Sequence, residues 1–195
     1  MKQTVFALLL AAGLASGLSG CVGLVAGAAA GGVLVAADRR TSGAYVDDQG
    51  IELKSGEQIA SRLPSAHVNR NSFNRAVLLT GEVPTEEARQ QAELIVRGIP
   101  NVRRVYNYLT VGPVSGFSER SNDTWITSKV RTRLLDGKGY NPNDVKVVTE
   151  RGVVYMLGLV TQAEGQIAAK VVSETAGVQK VVTLFEYIQD VTPAK

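Results

Sequence analysis

The sequence predicts an α+β protein made of two tandem αββαβ units, each with a three-stranded mixed sheet packed on two helices. Three observations carry this. Residues 75–83 (RAVLLTGEV) and 152–160 (GVVYMLGLV) align on Gly81 and Gly158 as apolar, strand-like runs that end in Gly-x-Val. Each run is followed by a stretch with helical spacing of apolar residues: Ala88, Ala92, Ile95 and Val96 in one, Ile167, Ala168, Val171 and Val172 in the other. Each helix then gives way, through a turn-forming group, to a second strand reading Val-x-basic-Val, Val102–Val105 and Val178–Val181. Self-similarity of this kind marks a duplicated unit. A β-α-β connection implies a right-handed crossover between parallel strands, with the preceding strand hairpinned onto the sheet.

Taken in order, the chain opens with Lys2, an apolar run from Val5 to Ala12, and then Leu18-Ser19-Gly20-Cys21. This resembles a bacterial lipobox: basic n-region, short h-region, and small residues before a cysteine. The resemblance implies cleavage after residue 20, with diacylglycerol on the sulfur of Cys21 and a third acyl chain on its new N-terminus. The h-region is too short to span ~30 Å of hydrocarbon. Cys21 is the only cysteine, so no disulfide within the chain is available. Three acyl chains, at ~0.8 kcal/mol per buried CH₂, imply permanent attachment. Val22, where an aspartate would retain a Gram-negative lipoprotein in the inner membrane, implies the inner leaflet of the outer membrane, facing the periplasm. Residues 22–37 (VGLVAGAAAGGVLVAA) have Gly23, Gly27 and Gly31 four apart. They read either as a self-associating small-residue helix or as a tether resting near the lipid surface.

The expected organisation is a signal peptide over 1–20, a lipidated cysteine with its Gly/Ala-rich tether over 21–46, a first unit over 47–112, a linker over 113–118 and a second unit over 119–191. In the first unit the opening helix is placed at about 49–63, ended by Pro64, and the first strand at about 66–71. Pro84 with Glu86 and Glu87 suits a first helical turn. In the second unit the opening helix is placed at about 122–135, with Ser121 or Asp123 as its cap, and a strand at 145–149. Thr161 followed three residues later by Glu164 has the form of a capping box.

The αββαβ order, the glycine near the end of the second strand, and the turn into the last strand resemble BON domains. The stretch Ser121-Asn122-Asp123-Thr124-Trp125-Ile126-Thr127-Ser128-Lys129-Val130-Arg131 is the most distinctive match, with Asp38-Arg39-Arg40 and Val46-Asp47-Asp48 as lead-in. Two such domains behind a lipobox resemble the dual BON-domain outer-membrane lipoproteins of the DolP family. That resemblance implies binding to an anionic phospholipid membrane, support of outer-membrane integrity, and proximity to the outer-membrane protein assembly machinery and the division site.

Helical geometry locates a candidate site. At 100° per residue Ile126, Val130 and Leu134 share the core face, while Trp125 lies about 140° from its centre with Ser128 and Thr132 also outward. Arg120, Lys129, Arg131, Arg133 and Lys138 outnumber Asp123 and Asp136 across 120–140. An outward Trp among cations suits a membrane interface. The candidate membrane-binding residues are therefore Trp125, Ser128, Lys129, Arg131, Thr132, Arg133 and Lys138, with the loop Gly137–Tyr140 beside them. Trp125 packed against the neighbouring unit, or buried in a homo-oligomer, are the competing placements. A protein-interaction scaffold held only by its lipid anchor is the competing function.

Little points to catalysis. His67 is the sole histidine, without an acid pattern nearby in sequence. Asp47-Asp48 and Glu86-Glu87 read as helix lead-in and first-turn charge. Nothing has metal-ligand spacing, and no glycine-rich phosphate loop follows a strand. No cofactor or small-molecule substrate is expected. A net charge of +3 does not suggest nucleic-acid binding.

Overall fold

The structure is a computed structural model that describes residues 38–189. The expectations for the signal peptide, Cys21 and the 22–37 segment lie outside the described residues. The described residues from Arg39 onward form one compact unit containing both repeats. The first repeat runs α1 (Ser42–Arg62), β1 (His67–Phe73), β2 (Ala76–Val83), α2 (Glu86–Arg97), β3 (Arg104–Asn107) and β4 (Thr110–Val111). The second runs α3 (Phe117–Asp136), a short 3₁₀ turn (Pro142–Asp144), β5 (Val145–Glu150), β6 (Val153–Val160), α4 (Gln162–Ser173) and β7 (Lys180–Tyr187).

Both sheets are mixed, as expected. β1 is antiparallel to β2, and β3 and β4 pair with β2 in parallel. β5 is antiparallel to β6, with β7 parallel to it. The last strand of the first repeat is interrupted at Tyr108-Leu109, where its counterpart β7 is continuous. Local chemistry explains the starts of α2 and α4. The Thr85 hydroxyl accepts the Ala88 N–H, placing Pro84 just outside the helix. Thr161 and Glu164 form the expected reciprocal box, the hydroxyl accepting the Glu164 N–H (3.3 Å) and the carboxylate the Thr161 N–H (2.8 Å).

The opening helices begin earlier than their apolar periodicity suggests. α1 starts at Ser42, where the Thr41 hydroxyl accepts the Ala44 N–H at 3.1 Å. Gly43, Gly50 and Gly56 each weaken helix propensity by ~1 kcal/mol, which hides this helix from a local reading. Packing of Ala44, Ile51 and Ile59 into the core holds it. α3 starts at Phe117, with the Glu119 carboxylate accepting the Gly116 N–H at 2.9 Å.

Neither Asp123 nor Asp48 stands at a helix end. Each is a buried carboxylate inside its helix that holds the hairpin turn of its own repeat. Asp123 accepts the N–H groups of Arg151 and Gly152, both at 2.8 Å. Asp48 accepts those of Asn74 (2.8 Å) and Arg75 (2.7 Å). All four turn residues have positive φ, as tight two-residue hairpin turns require.

Each repeat has its own core between helices and sheet. Ile51, Ile59, Val77, Leu79, Ala92 and Val96 belong to one; Ile126, Val130, Val154, Met156, Ala168 and Val172 to the other. A third core is shared. Phe73 and Leu78 of the first repeat pack with Tyr155, Leu157 and Leu184 of the second. The sheets therefore stack face to face, with helices outside each. Every residue of β2 is buried, because alternate side chains enter two different cores. Lys146–Glu52 (2.6 Å), Asn69–Glu150 (2.9 Å) and Asn74–Glu186 (3.0 Å) bridge the repeats around this core.

Two adjacent arginines tie the entering chain to both repeats. Arg39 grips Glu164 through both terminal nitrogens (2.7 and 2.8 Å) and reaches Asp144 through Nε (3.1 Å). Arg40 pairs with Asp48 at 2.8 Å and lies over the Phe73 ring at 4.2 Å. The Arg39 guanidinium holds the Glu164 carboxyl down at about 2.

Candidate membrane-facing site

α3 positions the site. Ile126, Val130 and Leu134 are buried against β5 and α4, which turns Trp125 outward. Trp125 is 63% exposed, so it is not packed against the first repeat. Beside it runs a groove of about 410 Å³ formed by α3 and the chain that follows α4. Trp125, Ser128, Lys129, Thr132 and Arg133 line one wall; Glu174, Thr175 and Ala176 line the other.

The polar atoms here are partly committed. Lys129 Nζ sits 5.8 Å from the Trp125 ring centroid and donates to the Ala176 carbonyl. Arg133 donates to the Glu174 carbonyl, and its other terminal nitrogen lies 4.0 Å from the Glu174 carboxylate. Arg133 thus meets the C-cap carbonyl of α4, where the helix carries partial negative charge, and Lys129 a carbonyl two residues beyond it. The Ser128 hydroxyl donates to the Thr124 carbonyl and the Thr132 hydroxyl to the Ser128 carbonyl, both at 3.0 Å.

Five of the seven expected surface residues therefore come together: Trp125, Ser128, Lys129, Thr132 and Arg133. Arg131 does not join them. Six residues on from Trp125, it lies about 120° away around the helix, facing the first repeat beside Asn69 and Arg70. Lys138 is exposed on the loop beyond α3. That loop is not free to dip as a whole. Tyr140 is buried, its hydroxyl donating to the Leu134 carbonyl at 3.0 Å, and burial pushes its pKa up.

Two residues escaped the sequence reading. Phe117 is 82% exposed and Leu135 is 69% exposed. Counted at 100° per residue, both fall about 80° to the same side of Trp125. The three mark out a face about 27 Å long at 1.5 Å per residue, on which Ser128 and Thr132 also lie between Trp125 and Leu135. Arg120 and Arg131 flank it on one side, Lys129 and Arg133 on the other. Phe117 lies ahead of the helix start that the apolar periodicity suggests. The available signal was Gly116 with Glu119 three residues on.

His67 Nδ1 sits 3.2 Å from the buried Glu82 carboxylate, at the junction between the repeats. Among the described residues no group of three or more His, Cys, Asp or Glu is placed to hold a metal ion, and no helix is long and apolar enough to cross a membrane.

A family model of the BON domain matches residues 47–113 and again 122–189. The chain is also 38% identical over 174 residues to "Outer membrane lipoprotein DolP" of Haemophilus influenzae, covering 88% of this chain and 90% of that protein. This chain belongs to the dual BON-domain outer membrane lipoprotein family. Its tandem repeats are BON domains, and α3 is the opening helix of the second. A "21 kDa hemolysin" of Actinobacillus pleuropneumoniae is 32% identical over 155 residues, covering 78% of this chain and 80% of that protein. An "Osmotically-inducible protein Y" of Escherichia coli is 27% identical over 147 residues, covering 71% and 72%. None of these relatives is named for an enzymatic activity.

Proposed function

We propose that this protein is anchored through acylated Cys21 in the inner leaflet of the outer membrane and binds anionic phospholipid through its second BON domain, so supporting the integrity of that membrane. One observation carries the reading: Phe117, Trp125 and Leu135 are exposed on one side of a helix that carries cations on both flanks. A helix of this kind lies in the interface plane with its apolar side chains at headgroup level. Each cation near an anionic surface adds ~1 kcal/mol. Lys129 and Arg133 are held beside Trp125 by the carbonyls they bind, which reduces the ordering cost of meeting phosphate.

The test uses the chain from residue 21 with Cys21→Ser, so that no acyl chain contributes. Trp125 is the only Trp, so its emission has one source. A blue shift on adding anionic vesicles, absent with neutral vesicles and weakened by salt, is the expected result. In a sedimentation assay Trp125→Glu abolishes binding while leaving the circular dichroism spectrum unchanged. Absence of vesicle binding by the unacylated chain would overturn the reading. The lipid anchor would then be the sole membrane contact, as in a scaffold near the outer-membrane assembly machinery.

A further inference from the structure

A strand at the edge of a sheet presents a row of unpaired N–H and C=O groups, which invites pairing with another chain unless the edge is blunted. Among the described residues the two sheets have four edges, and three are blunted or set within the fold. On β1 the Ser72 N–H is taken by the Glu52 carboxylate (2.7 Å), the Ser72 carbonyl by Lys146 (3.1 Å) and the Val68 carbonyl by Arg70 (3.3 Å). The β3–β4 edge is broken at Tyr108-Leu109, where the Asn107 side-chain oxygen accepts the Leu109 N–H at 3.2 Å. β5 runs along the cleft between α3 and the first repeat, beside Asn69 and Arg131. β7 is different. It is continuous over eight residues, KVVTLFEY, about 26 Å at ~3.3 Å per residue, with no proline. The Ile188 N–H bonds to the Val160 carbonyl, and β7 follows β6 in parallel register throughout. By alternation the N–H and C=O groups of Val181, Thr183, Phe185 and Tyr187 point away from β6. Among the described residues no strand or side chain bonds to them.

The charges along this edge define what fits it. Lys180 is exposed at its start. At its far end Arg103 and Arg104, with Ala76 and Glu186, line a pit of about 100 Å³. Three cations thus meet one carboxylate, and Glu186 is already engaged by Arg103 (3.5 Å) and Asn74 (3.0 Å). Arg104 is exposed, its Nη1 donating to the Tyr106 hydroxyl at 3.1 Å. We infer that β7 is a docking edge for an extended, carboxylate-bearing segment of another protein, which adds as a fourth strand to the second sheet. Main-chain bonds to Val181, Thr183, Phe185 and Tyr187 supply the affinity, and side chains of the incoming strand supply the selection. A carboxylate at one end meets the Arg104 guanidinium, whose planar fork matches it, and one at the other end meets Lys180. A second copy of this chain fits less well, since antiparallel pairing of two β7 strands about Thr183 would set lysine against the two arginines. The inference goes beyond the membrane-binding reading and uses none of its residues.

The probe is a phage-displayed library of random decapeptides, selected against the chain from residue 21 with Cys21→Ser; the tightest selected peptide is then synthesised. Expected are enrichment of Asp and Glu among the selected sequences and slower hydrogen exchange at the Val181, Thr183, Phe185 and Tyr187 amides when the peptide binds. Thr183→Pro removes one outward N–H without breaking the β6–β7 ladder, and should weaken the Kd by at least about tenfold. Arg104→Glu and Lys180→Glu leave the backbone alone, so they keep the test falsifiable if proline disturbs the strand; each should weaken the Kd about tenfold. A selection without acidic peptides, exchange protection confined to other strands, or full affinity in the charge variants would each overturn the assignment. So would a dimer in sedimentation that Thr183→Pro abolishes, which would give the edge to a second copy.

Discussion

Asp123 offers the sharpest test of how this fold is held. Asp123→Ala deletes two charge-assisted hydrogen bonds, both 2.8 Å, from the β5–β6 turn. Bonds to a charged partner contribute ~1.5–3 kcal/mol each, giving a range of about 3–6 kcal/mol. The Arg151 N–H sits at an exposed residue and regains water on truncation, whereas Gly152 is buried. The lower part of the range, about 3–4 kcal/mol, is therefore expected. The assay is urea unfolding followed by far-ultraviolet circular dichroism. With m near ~2 kcal/mol/M the midpoint falls by about 1.5–2 M. Asp48→Ala costs more, because Asp48 also accepts the Ser72 hydroxyl (2.6 Å) and pairs with Arg40 (2.8 Å). Asp123→Asn, which keeps an acceptor oxygen, costs less. A midpoint shift under ~0.5 M for Asp123→Ala, or the reverse order of the two alanine variants, would refute the reasoning.

Two further outcomes can be stated briefly. Gly81 has φ +106°, and a Cβ there would stand 2.1 Å from the His67 carbonyl oxygen. Gly81→Ala should therefore lower stability by at least ~3 kcal/mol in a urea titration; Gly98→Ala, with nothing closer than 3.5 Å, should be near neutral. Glu164 is held at about 2 instead of 4.5, mainly by its hydrogen bonds from Arg39. Its folded pKa lies below the unfolded one, so this stabilisation is complete above roughly pH 4.5 and is lost as pH falls toward 2. The Arg39 side chain is 33% exposed, and screening reduces the effect to about 1–2 kcal/mol. Thermal melts should show that Arg39→Ala lowers Tm at pH 7 and flattens its fall between pH 5 and 2.

What the sequence disclosed follows the range of the interactions involved. The capping box of Thr161 and Glu164 and the core stripe Ile126–Val130–Leu134 are written within a few residues, and both are legible. Trp125 was read outward on the same basis. Asp123 looked like a helix cap because Asp favours that position; its partners lie 28 and 29 residues away. The angle around α3 puts Arg131 on the flank opposite Lys129; that this flank faces the first repeat is not written in either repeat alone. The core shared between the repeats was not legible. It is made by residues from both repeats, and neither αββαβ pattern shows how the two would meet.

The shared core of Phe73, Leu78, Tyr155, Leu157 and Leu184 has a consequence for how the protein can be divided. The duplication suggests two interchangeable parts, each with its own helices, sheet and core. Yet the outer face of each sheet is finished only by the other copy. A lone half would present a wet, flat array of aromatic and aliphatic side chains, ready to stick to another half. Damage in one copy therefore spreads to the other, and the pair denatures as a single cooperative body. Duplication here produced one indivisible protein, and cutting at the Gly112–Gly116 connection would separate the sequence without yielding two soluble pieces.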